Sequence, residues 1–142
     1  MMLKGIPSIL SPELLKVLME MGHGDEIILA DGNFPAASHT DRLLRSDGHG
    51  VPELLKAVLS LFPLDTYSEH SVALMAVVPG DPVETPIWGV YESIIREHTL
   101  PAIEHVERFA FYERAKKAYA IVATSEKALY ANIILKKGVV VE

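Results

Sequence analysis

The segment Met21-Gly22-His23-Gly24-Asp25-Glu26 places a histidine between two glycines. An imidazole can give or take a proton near neutral pH, and neighbours without side chains leave room for a ligand to approach it. The segment follows an amphipathic stretch of helical spacing. His23 therefore stands just past a helix C-terminus, where the macrodipole favours the protonated ring and suits a proton donor. The structural alternative is that it only caps the last helix carbonyls. Further on, Ile27-Ile28-Leu29-Ala30 runs into Asp31-Gly32-Asn33, which puts a carboxylate at the carboxyl end of a buried strand, where open α/β sheets hold their ligands. Asp31 can accept two hydroxyl hydrogen bonds or hold a proton donor in place; as a plain turn residue it would bond its own backbone.

Two later clusters add polar and aromatic groups. Glu107-Arg108-Phe109-Ala110-Phe111-Tyr112-Glu113-Arg114-Ala115 is dense in arginine and aromatic residues in a chain that is only 7% aromatic. Aromatic faces stack on the C–H side of sugars, and a guanidinium donates to ring and hydroxyl oxygens; core packing competes for Phe109 and Phe111. Tyr130-Ala131-Asn132 brings a hydroxyl and an amide to the start of the last apolar run, both able to bond a polyol.

The elements that must position these residues are legible from periodicity. Ser11-Pro12-Glu13 and Val51-Pro52-Glu53 each put Pro and Glu in a first helical turn. Leu14, Leu15, Leu18 and Met19 then form one apolar face, and Leu54, Leu55, Val58 and Leu59 another. The similarity of the two starts does not extend beyond them, so no internal repeat is assigned. A third helix is predicted from Thr85-Pro86 to about His98, with Ile87, Val90, Tyr91, Ile94 and Ile95 facing inward, and a fourth from Phe109 to Lys117. Strands are predicted at 26–30, 72–78, 119–124 and 130–135, as short β-branched or mixed apolar runs. Pro79-Gly80-Asp81-Pro82 reads as a turn cluster inside the domain. Strand runs apolar on both sides of the pleat must be covered twice. The expected fold is thus α/β, a single three-layer domain over 1–142 with helices on both faces of a mixed β-sheet.

Composition removes several classes of function. With 142 residues and 49% hydrophobic content the chain can bury a core without staples. No cysteine is present, which excludes a disulfide framework and thiol chemistry and leaves only His and carboxylates for zinc. A net charge of -6 argues against nucleic acid as a partner. No apolar run is long enough to cross a membrane and the first residues lack a secretory pattern, so a cytoplasmic protein is expected. His39, His49 and His70 sit in loop-like segments without metal-ligand spacing, which weakens a metal-dependent hydrolase and leaves no metal expected.

Three segments together resemble the L-fucose mutarotase and D-ribose pyranase family, in its fucose mutarotase branch: Leu10 to Ile27 through Met21-Gly22-His23-Gly24-Asp25, then Arg108 to Ala115, then Asn132 to Val139. The likeness spans nearly the whole chain. It implies a cofactor-free isomerase acting on a monosaccharide, with the residue matching His23 as proton donor. The residues matching Asp31, Arg108, Tyr130, Ala131 and Asn132 would bind the sugar. It also implies a homo-oligomer, a pentamer-based ring or a decamer, in which a neighbour completes each site. Arg108 stands where ribose-type members usually carry His, which favours the fucose branch over pyranase activity. Gly32-Asn33, Ala131 and the stretch from Pro79 to His98 depart from the pattern, and these bear on sugar identity more than on reaction type. A monosaccharide-binding accessory module without turnover is the reading from a different class.

Overall fold

A computed structural model describes residues 2–142. It contains the helices α1 (Pro12–Glu20), α2 (Ala36–His39), α3 (Val51–Leu59), α4 (Pro86–Arg96) and α5 (Arg108–Lys117). The strands are β1 (Glu26–Ala30), β2 (Leu43–Ser46), β3 (Val72–Met75), β4 (Ile103–Val106), β5 (Ala120–Thr124) and β6 (Ile133–Lys136). Helix starts follow local chemistry. Ser11 Oγ accepts from Leu14 N–H at 3.1 Å ahead of Pro12 in α1. Glu53 reaches back to Gly50 N–H at 2.8 Å at the start of α3. The Glu107 carboxylate accepts from Ala110 N–H at 3.0 Å at the start of α5.

The six strands form one sheet in the order β2-β5-β1-β6-β3-β4. β2, β5 and β1 run parallel, as do β3 and β4, and β6 lies antiparallel between β1 and β3. One reversed strand therefore sits near the middle of an otherwise parallel sheet. Alternation along β1 explains the layers: Ile27 and Leu29 join a core with Leu14, Leu18, Leu54, Val58, Tyr91 and Ile95 of α1, α3 and α4. Ile28 and Ala30 join a second core with Phe34, Ala36, Phe111 and Ala115 on the other face, under α2 and α5. The mixed sheet with helices on both faces is as expected.

Several expectations are corrected. Met19, Val90 and Phe109 are exposed, whereas Val17 completes the buried face of α1. Helical spacing alone gives a stripe wider than the one that packs. β2, β4 and the single turn α2 had no sequence signal. β2 and β4 are the sheet edges, paired on one side only and carrying Arg45, Glu104 and His105, so neither reads as an apolar run. Tyr130-Ala131-Asn132 precedes β6 rather than lying within it. Among the described residues no helix is long and apolar enough to cross a membrane.

Candidate active site

A pocket of about 270 Å³ opens at the carboxyl ends of the parallel strands, the position open α/β sheets favour and a size that suits a single small molecule. Asp31, Asn33 and Phe34 enter it from the end of β1, Met75, Val78 and Asp81 from the end of β3, and Arg108 and Tyr112 from beyond β4. Because β6 is reversed, its entry rather than its exit lies at this edge, and it delivers Leu129, Tyr130 and Asn132.

Asp31 is buried, and its partners hold it from two elements. Its backbone N–H donates to Asn132 Oδ1 at 2.7 Å, while its carboxylate accepts from Asn33 N–H at 3.0 Å and Ala131 N–H at 3.3 Å. Ala131 thus contributes its backbone, and its buried methyl group leaves no polar group to offer a ligand. Burial pushes the Asp31 carboxyl above its ordinary value, against the lowering effect of those backbone donors. With one lone pair on each oxygen committed, the carboxylate retains acceptor capacity toward the pocket.

Tyr130 is, among the described residues, the non-glycine with positive φ, at 53°. A bulky side chain in that region marks local strain held by its surroundings. Trp88 Nε1–H donates to Tyr130 O at 2.8 Å and the Tyr91 hydroxyl donates to Ala131 O at 2.7 Å, so α4 pins the segment from behind. The Tyr130 hydroxyl donates to Asp81 Oδ2 at 2.6 Å and accepts from Val78 N–H at 3.3 Å. The bond to Asp81 raises the phenol above its ordinary value. Arg108 is exposed at the rim, its guanidinium 4.5 Å from the Phe109 ring centre. Phe34 and Tyr112 form an edge-on pair at 5.6 Å that supplies an aromatic wall.

The structure thus brings Asp31, Arg108, Tyr130 and Asn132 together and leaves His23 elsewhere. His23 precedes β1 and Asp31 follows it; the 5 residues of β1, at about 3.3 Å of rise each, separate the two ends by roughly 15 Å. At its own end His23 Nε2 meets Asp65 Oδ1 at 2.9 Å, and its ring lies 5.3 Å from that of Tyr67. Asp65 also accepts from Ser68 and from Tyr67 N–H. The Ser68 hydrogen bond is the largest influence holding its carboxyl well below the usual range, with His23 a smaller one. A carboxylate only accepts, so the imidazole presents N–H at Nε2 and leaves Nδ1 free for proton exchange. The helix-capping alternative for His23 does not hold: Lys137 Nζ donates to Leu18 O and Met21 O.

Sequence reasoning missed Asp65 and Asp81, while Tyr112, part of the aromatic cluster offered for sugar stacking, does line the pocket. Asp81 carried a usable signal, since it follows a strand as Asp31 does. Asp65 carried none, being 42 residues from the histidine it orients. Among the described residues no group of three or more His, Asp and Glu is arranged to hold a metal ion.

Comparison with known proteins gives a consistent set of relatives. The sequence profile described as the RbsD / FucU transport protein family matches residues 4–140. The fucose mutarotase of Homo sapiens is 57% identical over 96% of this chain and 94% of its own length. The L-fucose mutarotase of Actinobacillus pleuropneumoniae serotype 5b is 52% identical over 97% of each chain. The crystal structure of the fucose mutarotase of Streptococcus pneumoniae in complex with L-fucose superposes with a TM-score of 0.94 at 57% identity. That match covers 98% of this chain and 100% of the other. With a profile match over nearly the whole length and relatives above half identity along it, the chain belongs to the RbsD / FucU transport protein family.

Proposed function

We propose that this chain is an L-fucose mutarotase, an isomerase that interconverts the α and β anomers of the free sugar by acid/base ring opening without a cofactor, using one domain over the whole chain. The observation that carries this is the convergence of Asp31, Arg108, Tyr130 and Asn132 on one small pocket, in a chain 57% identical to a protein crystallised with L-fucose. Mutarotation asks little of a protein. A proton must reach the ring oxygen and another must leave the anomeric hydroxyl; the ring opens to an aldehyde, C1 rotates, and closure from the other face gives the other anomer. Asp31 and Asn132 accept and donate to sugar hydroxyls, Ala131 fixes Asp31 through its backbone, and Arg108 donates at the rim.

In this reading His23 is the proton donor, serving the pocket of a neighbouring copy. The distance along β1 argues against its serving its own. Its side chain is 47% exposed and oriented by Asp65, as a residue presented to a partner would be. Exposed Met2, Leu3, Met19, Val140 and Val141 supply apolar surface for subunit contacts, here assigned to a pentamer-based ring, alone or stacked as a decamer. A cysteine-free chain needs no oxidising compartment to fold, in keeping with a cytoplasmic site of action.

Exchange NMR on an equilibrium mixture of L-fucose anomers tests the reading, with chelator present, His23→Ala as control, and D-ribose as second sugar. Enzyme-dependent exchange of the fucose anomers, reduced roughly 10²–10⁴-fold in the variant, is expected. Exchange for ribose alone would assign a pyranase, and binding without exchange of any sugar would make the protein a binding module.

A further inference from the structure

We infer that Asp81 is the proton-accepting partner of Tyr130, so that the anomeric hydroxyl of the sugar loses its proton through the phenol to this carboxylate. The inference rests on the mutarotase reading above. The Tyr130 hydroxyl hydrogen is committed to Asp81 Oδ2 over 2.6 Å, a short bond of the charge-assisted kind. One lone pair of the same oxygen takes the Val78 N–H at 3.3 Å. The remaining lone pair belongs to a residue that lines the pocket together with Asp81. Tyr130 therefore meets a sugar hydroxyl as an acceptor and has no hydrogen of its own to offer.

The surroundings hold this arrangement from both sides. Asp81 Oδ1 accepts from Val83 N–H at 3.2 Å, which fixes the carboxylate on its loop. Tyr130 is kept at φ 53° with its carbonyl bound by Trp88. A strained backbone that aims one side chain at one partner is the kind of outlier found where function requires the geometry. The same bond makes a free phenolate unfavourable at neutral pH, so the sugar proton can arrive on Oη only as the phenolic proton moves on to Asp81.

The step balances. The anomeric O–H bond breaks as a new Oη–H bond forms, and the former phenolic proton passes to Asp81 Oδ2. The electron pair released at the anomeric oxygen forms the carbonyl at C1, and the pair of the breaking bond between C1 and the ring oxygen stays on that oxygen, which is protonated by the acid. Closure on the opposite face runs the same transfers backwards and returns both groups to their starting state. Asp81 acts through Tyr130 and is a positioning and proton-accepting residue rather than one that contacts the substrate.

The test compares wild type with Asp81→Asn, Asp81→Glu, Tyr130→Phe and the double variant Asp81→Asn/Tyr130→Phe. L-fucose anomer exchange is measured at saturating sugar, binding by titration, and folding by circular dichroism. Asn preserves the acceptor for Val83, and Tyr130→Phe probes the same path should the loop variant fold poorly. The expected result is a loss of about 10²-fold or more in exchange for each of Asp81→Asn and Tyr130→Phe, unchanged affinity for Asp81→Asn, a double variant no slower than either single, and partial recovery with Asp81→Glu. Exchange of Asp81→Asn within about threefold of wild type, a loss carried by affinity alone, or multiplicative losses in the double variant would overturn the inference. Wild-type protein that exchanges no sugar would instead overturn the mutarotase reading, and this inference with it.

Discussion

Asp31 and Asn132 are tied by the Asp31 backbone N–H, which donates to Asn132 Oδ1 over 2.7 Å, while the Asp31 carboxylate bonds back to the residue beside Asn132. Both residues are buried, so the tie joins the end of β1 to the entry of β6 where water cannot replace it. Asn132→Ala strands a buried N–H and should cost about 1–3 kcal/mol of stability. It should also weaken sugar binding, because Asp31 loses its orientation. Urea unfolding and fucose titration on the same preparation measure the two effects, and a variant with wild-type values in both would contradict this role.

The separation of His23 from the pocket predicts complementation between inactive variants. His23→Ala and Asp31→Asn should each be nearly inactive alone. Refolded together at equal amounts, they should regain activity, because about a quarter of shared sites would combine both wild-type halves. No recovery in demonstrably mixed oligomers would mean that the two residues do not share a site across copies.

Asp65 should govern part of the acid sensitivity of the fold. Its carboxyl titrates below its ordinary value of 3.8 in the folded state. The unfolded chain therefore binds the proton first, and stability rises with pH through that range. The contribution is complete above the ordinary value and is lost as pH falls below it. Asp65→Asn should be less stable than wild type at pH 7, with the difference shrinking as pH drops below about 4. Denaturation midpoints across that range test this, and a constant difference would argue that the charge is not involved.

Gly138 permits a close approach that no other residue allows. A Cβ there would lie 2.6 Å from Leu64 O and 2.8 Å from Asp65 Cα, while its N–H donates to Pro63 O at 2.7 Å. Gly138→Ala must push the loop carrying Asp65 away, at a cost of about 1–3 kcal/mol. Activity should fall more than sugar affinity, since Asp65 orients His23 and leaves the pocket untouched. A thermal melt with parallel exchange and binding measurements would detect the split.

How far the sequence revealed the site followed from how local each signal was. Pro12 and Pro52 with their following glutamates mark helix starts because the stabilising bonds span three residues. The double-sided apolar run at Ile27 to Ala30 requires cover on both faces regardless of what provides it. Asp31 was readable because it ends such a run. The pairing of His23 with Asp65 was not, since it depends on the Lys136 and Asp25 backbones bringing two distant loops alongside each other. Nor could spacing reveal that Met19 and Phe109 remain outside, because the width of a packed stripe is set by neighbouring elements.

The single reversed strand has a geometrical consequence. At one end β6 delivers Tyr130 and Asn132 to the pocket. At the other, Asp65 N–H donates to Lys136 O at 3.0 Å and Gly24 N–H to Lys137 O at 2.8 Å, holding the His23 and Asp65 loops. β6 is thus a ruler fixed at both marks. If each copy donates at one mark and receives at the other, the length of this strand sets the pitch at which sites recur around the assembly. A one-residue insertion would turn its side chains to the opposite faces and move the two marks apart, so in the ring proposed above strand length and the spacing of sites would have to change together.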